Sequence, residues 1–149
     1  MLNSSLHETQ ERINELLRGE RSAVETYHQA FAAVGDDPRI DDLRAVAAEH
    51  RHAVQMLVDR VIACGGEPSH DSGIWGTWTK TVLGTATLFG EKASLSILKE
   101  GEEHGKNLYL DFLKDADVDP ICRDIIENEL LPQQVAHIQT LERIIRNIS

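Results

Sequence analysis

Two glutamates and two histidines fall where amphipathic helices ordinarily place aliphatic side chains. Around LLRGERSAVETY (16–27) the apolar positions Ile13, Leu16, Leu17, Val24, Tyr27, Phe31 and Val34 recur in steps of three and four, and Glu20 lies mid-stripe. Around KEGEEHGKNLY (99–109) the stripe Leu95, Leu98, Tyr109, Leu113 is centred in the same way on Glu102. Each glutamate follows a glycine and precedes a tyrosine by seven residues, Tyr27 in one case and Tyr109 in the other. Two further stripes match each other: Leu43, Ala47, His50, Val54, Leu57, Val61 and Leu130, Gln134, His137, Leu141, Ile144, Ile148. In both, the histidine is followed by apolar residues at +4, +7 and +11.

Taking an ionised carboxylate from water into a bundle core costs several kcal/mol, more than one buried leucine contributes. Polar groups at four core positions therefore require a partner. Glu20, His50, Glu102 and His137 can ligate a cation, and mixed oxygen and nitrogen donors suit Fe, Mn or Zn. Alternatively, each carboxylate pairs with an N–H of a histidine in a buried network without metal. The residues alone leave both open. Tyr27 and Tyr109 are expected as core aromatics with satisfied hydroxyls, with a role beside a metal as the alternative.

The elements that must position these groups are helical. Only 5% aromatic residues, four prolines and long periodic stretches in 149 residues predict an all-α chain, one domain spanning 1–149. The first helix is expected from about Ser5, with Ser5 and Glu8 as a capping box, to about Val34. In GDDP (35–38), Asp37 as N-cap and Pro38 as first helical residue start a second helix, which Gly65 and Gly66 end after Cys64. The third runs from about Glu91 to Lys114. DADVDP (115–120) starts the fourth, ending near Asn147, with Pro132 expected to kink it. The halves, about 5–64 and 91–147, each pair a Glu helix with a His helix, which predicts an antiparallel four-helix bundle built from two helical-hairpin repeats.

The crossover, 65–90, carries Trp75, Trp78, Val82, Ala86 and Phe89 at helical spacing, which predicts a loop followed by a short extra helix. It is too polar to span a membrane and is expected to pack along the bundle. The alternative is a contact surface for a partner subunit in a homo-oligomer, for a quinone-like ligand or for a bilayer face. A net charge of −10 argues against nucleic acid and anionic lipid as partners. The polar start, MLNSSLHETQ, does not resemble a signal peptide, so a cytoplasmic location is expected. Cys64 and Cys122 have no metal-type spacing and are expected as small packed thiols.

LLRGERSAVETY followed by AAEHRHA (47–53) resembles the opening helix pair of ferritin-like proteins, rubrerythrins in particular. WGTWTKTVLGTATLFG (75–90) resembles the segment before the third core helix of demethoxyubiquinone hydroxylases. GGEP, SGxWG, LKEGEEHG and LLPxQ…H are similar in order and spacing to a bacterial family of small ferritin-like bundles of unassigned function, the DUF2383 type. The resemblance to di-iron members implies one Glu on each of helices one and three and Glu-x-x-His on helices two and four. Glu20, Glu102 and His137 match, but Gln134 stands three before His137 and Ala47 three before His50. Glu49 and His52 keep the Glu-x-x-His spelling but lie off the apolar line; the core-facing register, with His50, is the one expected to face the partners, and in the alternative register Glu49 and His52 become ligands, one bridging carboxylate returns and a dinuclear site is possible. The His50 register removes both bridging carboxylates, although Gln134 can supply a neutral oxygen. His7, His28, His70, Glu103 and His104 are expected at the surface or beside the core line. The expected function is a metal-binding ferritin-like protein with a Glu2His2 site, a mononuclear or degenerate di-iron oxidoreductase or a metal carrier. Against it stand a non-catalytic bundle acting through association and, more weakly, membrane-surface chemistry on a quinone-like substrate.

Overall fold

Helical periodicity is realised along nearly the whole of each stripe. The structure, a computed structural model, describes residues 2–34, 38, 40–73, 91–115 and 119–148. Helix α1 spans Leu2–Val34, α2 Ile40–Ala63 and α3 Glu91–Leu113. The last rod is composite: α4 (Pro120–Ile125), a π-helical turn (Ile126–Leu130) and α5 (Leu131–Ile148). The Trp75–Phe89 stretch lies outside the described residues, as does Asp37. Among the described residues no helix is long and apolar enough to cross a membrane.

Three local details differ from expectation or refine it. Helix α1 begins before Ser5, so Ser5 and Glu8 are interior positions and not a capping box; the Ser5 carbonyl accepts from the Thr9 hydroxyl at 3.1 Å. Pro38 sits in a turn ahead of α2, its carbonyl accepting from Asp41 N at 3.2 Å, so the helix starts at Ile40. The break at Pro132 takes the form of the π turn. A regular α-helix would drive the proline ring into the carbonyl of Asn128; here the Leu131 N–H reaches back five residues to the Ile126 carbonyl, widening the helix one turn before Gln134 and His137.

The glycine stop of α2 is built as expected. Gly65 takes φ +80, its N–H bonds the Ile62 carbonyl, and Gly66 N–H bonds the Val61 carbonyl, both at 2.9 Å. Gln10 of α1 donates to the leftover Cys64 carbonyl at 2.7 Å, tying the end of α2 to α1.

Contacts between the rods set their directions. Tyr27 meets Glu102 and Tyr109 meets Glu20, so α1 and α3 are antiparallel. Arg60 meets Asp119, His50 lies beside His137, and Arg143 meets Asp42, so α2 is antiparallel to the last rod. The order is therefore up, down, down, up, with α1 paired to α2 and α3 to α5. Two aliphatic clusters fill the interior, one around Leu17, Leu57 and Ile126 and the other around Leu43, Leu98 and Leu141. The Glu/His layer lies between them.

At the α2–α4 end, Asp119 caps α4, accepting from Cys122 N at 3.1 Å while Oδ2 also accepts from Arg60 Nε and Nη2 at 3.0 and 2.6 Å. Burial first and Asp119 second push the Cys122 thiol up to about 12 against the pull of Arg60, which leaves it an inert packing group. Because one carboxylate serves both the cap and the inter-helix pair, Asp119→Ala is expected to lower stability by about 1–2 kcal/mol in urea unfolding. A change below about 0.5 kcal/mol would contradict the assignment.

Candidate metal centre

The seven-residue step from glutamate to tyrosine acquires its meaning where α1 crosses α3. Seven residues is about two turns, so Glu20 and Tyr27 lie on one face, as do Glu102 and Tyr109. On antiparallel helices each tyrosine then falls opposite the other helix's glutamate. Tyr27 donates its hydroxyl to Glu102 Oε1 at 2.7 Å, and Tyr109 donates to Glu20 Oε1. All four side chains are buried. The repeated sequence unit is thus a reciprocal pair of hydrogen bonds.

His50 of α2 lies between the carboxylates. Its Nδ1 is 2.5 Å from Glu20 Oε2 and its Nε2 is 2.5 Å from Glu102 Oε1. Acceptors on both sides call for a proton on both ring nitrogens. Burial alone would favour the neutral ring, but the charges of Glu20 and then Glu102 outweigh it and hold the imidazole pKa well above its usual range. Glu102 is shifted the opposite way: burial would raise its pKa, yet the His50 charge and the hydrogen bonds from His137 and His50 hold it at about 2. Both tyrosine hydroxyls are raised, by burial first and by the neighbouring carboxylates second, so they remain donors.

His137 occupies the corresponding place on α5 without the same partners. Its Nδ1 is 3.3 Å from Glu102 Oε2, and its ring centroid is 4.7 Å from that of His50. Its Nε2 has no hydrogen-bond partner although it is buried; the nearest carboxylate oxygen, Glu49 Oε2, is 3.6 Å away. Gln134 does not offer an oxygen as expected. Its Nε2 donates to the Glu102 carbonyl at 2.8 Å and to Glu102 Oε2 at 2.6 Å, so the amide acts as a donor. That approach depends on Gly105: a Cβ there would lie 2.5 Å from Gln134 Nε2. The glycine one turn after Glu102 in GEEHG was the signal for this contact in the sequence, and spacing arguments about ligands pass over it.

Helix α2 faces the core in the His50 register. His50 is 2% exposed and Ala47 2%, whereas the side chains of Glu49 and His52 are 43% and 60% exposed. His52 pairs outward with Glu129 at 3.6 Å, and Glu49 reaches in only as far as His137. His7, His28, His70, Glu103 and His104 are exposed. Among the described residues, His50, Glu102 and His137 each offer a ligand atom within 4.8 Å of the others, all three buried. Glu20 joins them through His50. Two imidazoles and a carboxylate fit a divalent transition cation.

The paired shifts set a pH dependence for the metal-free protein. The raised His50 pKa contributes stability that is fully present below about 6.5 and is lost as pH rises toward the folded-state value. The lowered Glu102 pKa contributes stability present above about 4.5 and lost as pH falls toward 2. Urea midpoints measured against pH should therefore peak between about 4.5 and 6.5, and His50→Gln should flatten the alkaline limb. An unchanged alkaline limb in that variant would contradict the doubly bonded imidazolium.

No curated protein and no solved structure matches this chain. The family model described as Domain of unknown function (DUF2383) matches residues 8–115. That range holds all but the first residues of α1, the whole of α2 and α3, and Glu20, Tyr27, His50, Glu102 and Tyr109, and it ends before Gln134 and His137. With well over half of its length matched, the chain belongs to the DUF2383 family.

Proposed function

We propose that this chain is a metal-binding bundle of the ferritin-like class, in which His50, Glu102 and His137, with Glu20 behind His50, hold one Fe, Mn or Zn ion. The observation that carries the reading is His137 Nε2, a buried nitrogen with no hydrogen-bond partner in a layer whose other polar groups are paired. Such an atom is costly unless something binds it. A single cation is favoured because Ala47 and Gln134 stand where bridging carboxylates would be needed, and Gln134 presents its NH2. A redox-active ion would make the centre a small oxidoreductase site; zinc would make it a Lewis-acid or carrier site.

The chain's own residues prepare the centre. Tyr109 and Tyr27 pin one oxygen of Glu20 and Glu102 respectively, and Gln134 pins the second oxygen of Glu102. Ligand orientation is thereby set by neighbours, as metal sites require. Hydrophobic clusters flank the layer on both sides. Because His50 carries two protons in the metal-free layer, uptake of a cation must release at least one, and affinity should rise with pH.

Protein purified without chelator, then reconstituted with Fe(II), Mn(II) or Zn(II), should hold about one ion per chain by elemental analysis. His137→Gln should lower occupancy at least about tenfold with helicity intact. No ion near stoichiometry before or after reconstitution would overturn the reading.

One observation favours a second reading, a non-catalytic bundle with a metal-free network that acts through association. The 2.5 Å contacts on both sides of His50 are hydrogen-bond separations, closer than two ligands of a tetrahedral cation, and they satisfy both carboxylates with protons alone. Under it, Glu20→Gln and His50→Gln change unfolding midpoints while metal content stays nil in the parent and the variants. A homo-oligomer through the Trp75–Phe89 segment belongs to this second reading.

A further inference from the structure

Beside the Glu/His layer, a cavity of about 180 Å³ opens between α1 and α3. Its walls are mainly aliphatic, with Leu16 and Ala23 from α1 and Ile97, Leu98 and Leu108 from α3, but Ser22, Thr26 and His104 also line it, the Thr26 hydroxyl donating to the Ser22 carbonyl. Three glycines line it, of which Gly105 accommodates Gln134. A Cβ on Gly19 would sit 3.2 Å from Leu108 Cδ1, whereas one on Gly101 would meet no described residue within 4 Å. The floor is polar, formed by Tyr27, Tyr109, Glu20 and Glu102.

Volume and floor together define a ligand. Apolar cavities of roughly 150 Å³ accept a benzene-sized molecule, and drug-sized pockets begin at about twice that. One aromatic ring therefore fits. The floor offers acceptors: each Glu20 oxygen accepts one bond and has a lone pair left, and each tyrosine oxygen donates while its own lone pairs remain available. Its donors are already committed to the two glutamates. A ligand's polar group must then be a donor, and an anion would be repelled by the two carboxylates.

We propose that the cavity between α1 and α3 binds a neutral single-ring aromatic alcohol, a phenol, with its ring between Leu16 and Leu108 and its hydroxyl donating to the Glu20–Tyr109 floor. As the substrate class of the proposed metal centre this rests on that reading; as a binding site it does not.

The test is a titration of the chelator-treated full chain with phenol, followed by calorimetry and by methyl NMR of Leu16 and Leu108, the two side chains that flank the ring. Saturable one-site binding with shifts at both methyls is expected. Benzoate should bind at least about tenfold more weakly, as should phenol to Ala23→Leu, which adds bulk to the cavity within one turn of Glu20. Absence of saturable shifts in the unsubstituted protein overturns the site, whatever the folding of the variants. Equal affinity for benzoate, or unchanged affinity in a folded Ala23→Leu protein, overturns the assignment equally. Phenol binding without metal uptake removes only the metal centre; metal uptake without phenol binding removes only the cavity ligand.

Discussion

A carboxylate inside a helical bundle is the constraint on which the rest of this structure depends. Glu102 is 2% exposed, and a charge so placed costs several kcal/mol unless its oxygens are met. Four side chains from three other helices meet them: Tyr27 and His50 at one oxygen, Gln134 and His137 at the other. Each of those contacts places a demand of its own. The tyrosine requires α1 and α3 to run antiparallel in one register. His50 requires α2 to turn its Ala47–His50 line inward. Gln134 requires a glycine at 105 on the facing helix. The aliphatic clusters above and below could tolerate a small rotation of any rod, but this layer could not.

The two halves are alike in plan and unlike in what their histidines do. His50 is held at both ring nitrogens by carboxylates, and its positive charge keeps Glu102 ionised. His137 has a single 3.3 Å contact and one nitrogen without a hydrogen bond. The difference traces to the residue three before each histidine. Ala47 puts no polar group beside His50, which sits between two acids, whereas Gln134 shares Glu102 Oε2 with His137 and holds it at the shorter distance. A symmetric pair of Glu-x-x-His motifs would have filled both places with carboxylates; this chain has an amide donor in one and a methyl in the other.

Much of this was legible in the residues because burial in helices obeys one period. Glu20, Glu102, His50 and His137 stood out only because aliphatic neighbours at three-to-four spacing placed them on core faces, and that geometry holds within a few residues of each helix end. The choice of His50 over Glu49 and His52 rested on the same argument and agrees with their exposures. Reciprocal pairing of Tyr27 with Glu102 and Tyr109 with Glu20 was not legible, because it depends on how two rods cross. Which end of Gln134 is used was not legible for a related reason: an amide carries both an acceptor and donors, and only the facing Glu102 decides between them. The π turn followed from Pro132 in cause but not in form, since a helix can answer a missing N–H by bending or by widening.

If a cation completes this layer, His137 Nε2 is the nitrogen expected to bind it. Anomalous diffraction from crystals of metal-reconstituted protein, collected on both sides of the metal's absorption edge, tests that most directly. One peak among His50, Glu102 and His137, in bonding contact with His137 Nε2, is the predicted result. A fully reconstituted crystal with no anomalous peak in the layer, and with His50 still bonded to both glutamates, would contradict it.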